Sequence, residues 1–196
     1  NKLIKSNLEN TFNSISVDSD TSTSDTLMIF SINQNTINFQ NSKNYEKLNS
    51  SISELMHDLS MQVIKDGEGL SKLIKVSVFK CRSKAQAKNL GFSIVNSPLV
   101  KTALAGKDAN WGIIIMAIGK TEEKITQNKI QIYFGKNLVC ERGAICKKIN
   151  LNKINKYMNK KIIEINVYVN NGHKNHTVYG NDLTYDYVKI NADYRS

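Results

Sequence analysis

Residues 96–118 read NSPLVKTALAGKDANWGIIIMAI, and this segment predicts two of the helices around which the fold is built. Ser97 followed by Pro98 is typical of the cap and first position of a helix. A polar segment then leads into Ile113–Ile118, which is apolar on all sides and which we interpret as a buried helix rather than a central strand. Ser83 predicts the cap of an earlier helix, so two helices should lie nearly end to end before the buried segment.

On the N-terminal side of this stretch, helical spacing of apolar residues predicts helices over Leu3–Phe12 and Tyr45–Val63. The second helix should end near Asp66 and Gly67. Leu27–Ile32 is a short apolar run with the length of a strand. Ile74–Phe79 alternates between apolar and other side chains, which predicts a strand exposed on one side.

On the C-terminal side, turn signals separate several short periodic segments. We predict strands at Lys129–Phe134 and Leu138–Cys140 around a hairpin turn at residues 135–137, a helix at Leu151–Met158, a strand at Ile162–Val169, a loop at residues 170–175, a strand at Thr177–Tyr179, and a helix at Tyr185–Ala192 capped by Asp182 or Thr184. This mixture of hairpins and helices predicts an α+β layered sandwich. No internal repeat or low-complexity linker divides residues 1–196 into separate domains.

Composition excludes several classes of protein. The chain has 196 residues, of which 40% are hydrophobic, enough for one globular unit, and no apolar run is long enough to span a membrane. The net charge of +10 comes from lysines scattered along the chain and only three arginines, whereas base readout and phosphate clamping favour arginine. We therefore predict no nucleic-acid partner and no membrane association.

Cysteine and histidine usage gives no sign of a metal site or a disulfide framework. The cysteines are Cys81, Cys140 and Cys146, without CxxC spacing, which fits a reducing cytosol. The histidines are His57, His173 and His176. We place the first in a helical pattern and the other two in a polar turn, interpret them as solvated, and assign none to catalysis.

Three polar places stand out, although no motif of a self-sufficient active site is present. They are the Asp18–Thr26 loop, Glu68 between Gly67 and Gly69, and the segment Asn191–Ser196. The loop could be a simple turn and the glycines a helix stop. The same glycines would also let a ligand approach the backbone, where the carboxylate could bind an ammonium group.

Four segments together resemble the bifunctional ornithine acetyltransferase/N-acetylglutamate synthase family of arginine biosynthesis. They are residues 12–26 (FNSISVDSDTSTSDT), 66–69 (DGEG), 96–112 (NSPLVKTALAGKDANWG) and 180–196 (GNDLTYDYVKINADYRS). Their order and spacing match across nearly the whole chain. Ser24 departs from the pattern, because the family often has asparagine there.

The resemblance implies a self-processing, DmpA-like fold and a precursor that cleaves itself before a threonine, which becomes the N-terminal nucleophile of the C-terminal (β) chain. That threonine should lie upstream of Asn1, so no catalytic residue is assigned in this chain. The family's substrate contacts fall on Glu68, Asn191 and Ser196. The implied reaction transfers acetyl from N-acetylornithine to glutamate through acetyl-threonine. It needs no cofactor or metal, and acetyl-CoA is a possible co-substrate.

The resemblance also implies that the unit is completed by the N-terminal (α) chain of the same precursor, in a heterotetramer of two α and two β chains in the cytoplasm. Two other interpretations stay open. An amidase or aminopeptidase of a related self-processing fold would pass the same acyl-enzyme to water. A basic nucleic-acid-binding module would show salt-dependent retention of DNA or RNA.

Overall fold

The computed structural model describes residues 2–30, 32, 42–147 and 149–194. Its helices are α1 (Lys2–Leu8), α2 (Ser42–Lys65), α3 (Lys84–Val95), α4 (Pro98–Ala105), α5 (Trp111–Gly119), α6 (Leu151–Met158) and α7 (Tyr185–Asp193). Its strands are β1 (Leu73–Cys81), β2 (Gln131–Phe134), β3 (Asn137–Glu141), β4 (Ala144–Ile145), β5 (Ile162–Tyr168) and β6 (Lys174–Asn181). Short 3-10 turns occupy Phe12–Ser14 and Gln127–Lys129.

The strands form one mixed sheet with the order β4-β3-β2-β5-β1-β6. β1 pairs in parallel with β5 and antiparallel with β6, and the remaining pairs are antiparallel. Helix α3 lies on one face, where Gly91 approaches Val178. Helix α2 lies on the other face, where the His57 ring meets that of Tyr179 at 5.5 Å. Because neighbouring residues of a strand point to opposite faces, the two contacts define a helix–sheet–helix sandwich, as predicted.

Local signals in the sequence account for most of these elements. Ser83 caps α3 by accepting a hydrogen bond from the backbone of Gln86, and Pro98 stands at the start of α4, although the Ser97 side chain makes no capping bond. Residues 113–118 are helical, as predicted, within α5. Met116 is nonetheless 43% exposed, so the segment is not buried on all sides.

The structure corrects two strand predictions. β1 is not exposed on one side, because side chains of the neighbouring strands cover that face: Lys75 is half-buried beside Glu164, and Ser77 is buried and shares a hydrogen bond with Thr177. Residues 27–30 are not a strand, since no described strand pairs with them. The predicted strand Leu27–Ile32 also included Ser31, which lies outside the described residues.

Smaller corrections concern boundaries. The first helix ends at Leu8 rather than Phe12, because a 3-10 turn follows it. Residues 129 and 130 precede β2, the short strand β4 was not predicted, and β6 begins at Lys174, inside the predicted loop. His176 therefore lies in a strand and is buried, not solvated, and its Nε2 lies 2.8 Å from Ser14 Oγ.

Candidate functional site

The turn that carries Glu68 lies between α2 and β1 and is pressed against the start of α7. Gly69 has a φ of +60°, and a Cβ built there would lie 2.3 Å from the backbone nitrogen of Tyr187. A Cβ on Gly67 would lie 2.4 Å from Nδ2 of Asn181. Glycine is required at 69 both for the left-handed backbone and for this close approach. The glycines thus serve the packing of the turn against α7, and not only the end of a helix.

Two side chains that follow β6, those of Asp182 and Thr184, hold the same turn in place by hydrogen bonds. Asp182 is buried, and its Oδ1 accepts hydrogen bonds from the backbone nitrogens of Ser71 at 2.8 Å and Lys72 at 2.9 Å. Its other oxygen accepts from the Ser71 hydroxyl. Thr184 Oγ1 donates to the carbonyl of Gly69 at 2.5 Å and also caps α7. Of the two predicted caps, Thr184 is therefore the actual one, while Asp182 anchors the turn.

This arrangement brings Glu68 and Asn191 into direct contact across 123 positions of sequence. Asn191 Nδ2 donates to Glu68 Oε2 at 2.8 Å and to the carbonyl of Tyr187 at 3.0 Å. Both amide hydrogens are then used. Within the described residues, Glu68 Oε1 and Asn191 Oδ1 accept no hydrogen bond, and both side chains are exposed. Two neighbouring oxygens, one of them charged, are suited to bind an ammonium group.

The third polar place, the loop that begins at Asp18, adjoins this pair. Tyr187 Oη donates to Asp18 Oδ2 at 3.3 Å, which links the loop to α7. Burial, and then the charge of Asp18, raise the pKa of Tyr187. The carboxylate of Asp18 also accepts from the backbone of Asp20 at 3.1 Å, as expected for an ordered loop of short polar side chains. The loop is fixed to the sheet where the Ser16 nitrogen donates to the Tyr179 carbonyl at 2.9 Å.

A cleft of about 1240 Å³ opens between this loop and α2. Its lining includes the carboxylates of Asp18, Asp20, Asp25 and Asp66, together with Leu59 of α2. The described lining contains no lysine or arginine. Glu68 and Asn191 do not line this cleft themselves. Two of its carboxylates, those of Asp18 and Asp20, act on Tyr187 together with Glu68, so acidic groups lie near the pair and favour a cationic ligand over an anionic one.

Ser196, the third residue implied by the family resemblance, lies outside the described residues. The remaining reactive side chains do not form a second site in the part of the chain that the structure describes. Burial raises the pKa of the Cys81 thiol to about 11 and also raises that of Cys140. No group of three metal-binding side chains comes together there. Thr11 is buried and donates to the Asn7 carbonyl at 2.8 Å.

Reasoning from the sequence identified Asp182 and Thr184 only as alternative helix caps, and it missed their hydrogen bonds to the Glu68 turn and the contact of Tyr187 with Asp18. Asp182, Thr184 and Tyr187 lie in the segment 180–196 that carried the family resemblance, but a spacing pattern does not show which backbone a side chain will contact. Fold and site together define a class: an α+β protein with a mixed sheet between helices, and an exposed carboxylate–amide pair, close to acidic side chains, that is suited to an ammonium group.

Comparison with known proteins gives the particular family. A family model described as the ArgJ family matches residues 1–196. The "Arginine biosynthesis bifunctional protein ArgJ" of Bartonella henselae is 43% identical over 192 residues, 96% of this chain and 47% of that protein. The protein of the same name from Rhizobium meliloti is 40% identical over 200 residues, covering 99% and 48%. The chain belongs to the ArgJ family, and the resemblance inferred from its four segments is confirmed.

A solved structure agrees with the fold. The crystal structure of "Arginine biosynthesis bifunctional protein argJ" from Bacillus halodurans matches with a TM-score of 0.91 and 32% identity, over 98% of this chain and 92% of that chain. The chain spans about half the length of the curated relatives it matches. No helix among the described residues has the length and apolar character needed to cross a membrane.

Proposed function

We propose that this chain forms the substrate-binding wall of an ornithine acetyltransferase, and that Glu68 and Asn191 bind the free side-chain ammonium of N-acetylornithine. The observation that carries the proposal is the contact between these two side chains, which leaves one oxygen of each exposed and without a hydrogen bond among the described residues. The relatives' names assign them to arginine biosynthesis, in which N-acetylornithine is a fitting substrate.

The proposed chemistry is acyl transfer in two steps. The nucleophile is the threonine that self-cleavage places at the start of the β chain, upstream of Asn1. Its hydroxyl attacks the acetyl carbonyl of N-acetylornithine. The amide C–N bond breaks, the hydroxyl proton passes through the threonine α-amine to the leaving ornithine amine, and an acetyl-threonine ester remains. The amine of glutamate then attacks the ester, the C–O bond breaks, and the proton returns to the threonine oxygen. The role of Glu68 and Asn191 is to hold the donor in place.

Asn191→Ala tests the amide half of the proposed ammonium site. The variant loses the hydrogen bond to Glu68 and the second oxygen for the ligand, so we expect the KM for N-acetylornithine to rise about tenfold, the effect of one hydrogen bond to a charged group. Steady-state kinetics of the processed enzyme measures it. Lys189→Ala, an exposed change on the same helix, is the control. An unchanged KM in Asn191→Ala would remove this residue from the site. Ser196 stays a prediction from the resemblance, with Ser196→Ala as its test.

We also propose that the upstream half of the precursor packs on α2, and that two such units form the tetramer. The relatives are about twice as long as this chain, and one side of α2 carries apolar side chains four residues apart. Leu55, Leu59 and Val63 are 56%, 37% and 48% exposed. A continuous apolar stripe on a helix is typical of a surface that another element covers.

Leu59→Asp tests this packing surface. A carboxylate placed in a buried apolar contact has no partner, so we expect the affinity between the two halves to fall more than about tenfold. The measurement is co-elution of the two chains in gel filtration after the precursor has been expressed and cleaved. Ser50→Asp places the same charge on the opposite side of the helix and should leave the complex intact. A Leu59→Asp complex as stable as the wild type contradicts the proposed surface.

A further inference from the structure

A buried lysine contacts two segments that adjoin the candidate site. Lys101 of α4 is 3% exposed. Its Nζ donates to the carbonyl of Val17 at 2.5 Å, to the carbonyl of Asn181 at 2.7 Å and to Asn181 Oδ1 at 2.9 Å. An ammonium group has three N–H donors, and here each has an acceptor. The three bonds are consistent with the charged form of the side chain.

The acceptors of Lys101 belong to the segments that carry the site. Val17 directly precedes Asp18 and the loop that lines the cleft. Asn181 directly precedes Asp182, which anchors the Gly67–Gly69 turn. The side-chain nitrogen of Asn181 also lies against Gly67, where an added Cβ would meet it at 2.4 Å. The Lys101 ammonium therefore bonds directly to the start of the Asp18 loop and to Asn181. Through Asn181 it is also linked to the Gly67–Gly69 turn.

The charge of Lys101 has no carboxylate in direct contact. No ion pair to Lys101 is formed within the described residues, and the charged groups acting on it at longer range are Asp182, at the end of β6, and Asp18, in the loop. Burial lowers the pKa of Lys101 from its ordinary value of 10.5 to about 8, while the two aspartates oppose the change. The group can therefore lose its charge at moderately alkaline pH.

We propose that Lys101 is a positioning residue: its ammonium holds the Asp18 loop and the Asn181–Asp182 segment in the arrangement that lets Glu68 and Asn191 bind substrate. The inference rests on the proposed function. A neutral amine donates only two hydrogen bonds and presents a lone pair to the third acceptor, so loss of the proton releases one of the connected segments. The substrate's KM then rises as the pH increases through about 8.

This loss of affinity is distinct from alkaline unfolding. Because the pKa of Lys101 is lower in the folded chain, the unfolded chain binds more protons between pH 8 and 10.5. The contribution of this group to stability therefore increases with pH across that window and is lost as the pH falls through about 8. Weaker substrate binding in the same window, without a lower melting temperature, separates positioning from a general loss of structure.

Lys101→Met removes the charge and keeps a long side chain. In the processed two-chain enzyme at pH 7 we expect the KM for N-acetylornithine to rise about tenfold or more, with kcat changed less than about threefold. Amide hydrogen exchange should increase in residues 15–26 and 66–71 but not in β2 and β3. Lys75→Met, which removes a lysine on the sheet face that pairs with Glu164 at 3.1 Å, is the control for loss of one positive charge. Unchanged KM and unchanged exchange in Lys101→Met overturn the proposal.

Asn181→Asp keeps the test independent of whether Lys101→Met folds. The new carboxylate still accepts from Lys101, and it stabilises the ammonium, so the alkaline rise in KM should move upward by about one pH unit or more. A midpoint that stays where the wild type has it overturns the proposal. If wild-type enzyme shows no reaction with N-acetylornithine, the proposed function fails. The exchange comparison still decides whether Lys101 holds the two segments.

Discussion

Glu68→Gln is expected to lower kcat/KM for N-acetylornithine by about 100-fold, because it leaves the substrate ammonium without its counter-ion in the enzyme–substrate complex. Glutamine keeps the shape of the side chain and one oxygen, so the change isolates the charge. Glu68 is exposed in this chain, and the full effect requires that substrate and the upstream half exclude water from the pair. The measurement is the initial rate of ornithine release by the processed enzyme.

The two half-reactions give the matched control for this variant. Glutamate carries a carboxylate where ornithine carries its side-chain ammonium, so Glu68 offers no attraction to the acceptor. We therefore expect the KM for glutamate to stay within about threefold in Glu68→Gln, or to fall. Equal losses in both half-reactions, or unchanged kinetics with N-acetylornithine, contradict ammonium binding by Glu68.

Gly69→Ala is expected to destabilise the protein by about 3 kcal/mol, since it combines a left-handed backbone with a steric clash. The φ of Gly69 is +60°, and the atoms nearest to the added Cβ belong to the backbone of Asp186 and Tyr187 at 2.3–2.9 Å. Backbone cannot move aside as a flexible side chain can, so α7 must shift away from the turn. That shift also separates Glu68 from Asn191.

Thermal unfolding of the processed enzyme measures this effect, with an expected decrease in Tm of roughly 6–12 °C. Gly119→Ala is the matched control, because Gly119 lies in α5, and a Cβ there would have no atom within 4 Å. Alanine in an open helical position should be neutral or slightly stabilising. A Gly69→Ala enzyme with the Tm of the wild type would show that the turn does not need its close contact with α7.

The elements with strong local signals could be predicted from the sequence. Ser83 and Pro98 mark helix starts, and the apolar residues 113–118 lie in a helix, as expected. Where neighbours far along the chain decide the environment, prediction failed. β1 alternates like a half-exposed strand, but side chains of β5 and β6 cover the face that carries Lys75 and Ser77. His176 looks solvated in its polar surroundings, but Ser14, 162 positions away, is its partner in the interior.

The sequence named candidate residues, but it did not predict the geometry that joins two of them. Local reasoning gave three separate polar places and suggested Glu68 as an ammonium ligand, whereas Asn191 was named as a substrate contact only through the family resemblance. Their contact depends on the backbone of Gly69 meeting the start of α7 and on Asp182 fastening the turn. None of these contacts leaves a periodic or compositional signal. The buried position of Lys101 was also not predicted, since a lysine in a helix is usually solvated.

The most direct test uses the full-length precursor after self-cleavage, mixed with N-acetylornithine with or without glutamate, while the intact mass of the β chain that begins at the threonine and the released products are followed. We predict that this β chain gains one acetyl group on its threonine without glutamate, and that N-acetylglutamate accumulates when glutamate is present. No acetyl adduct and no glutamate-dependent turnover from a cleaved precursor would contradict the account. Release of free acetate instead would indicate an amidase on the same fold.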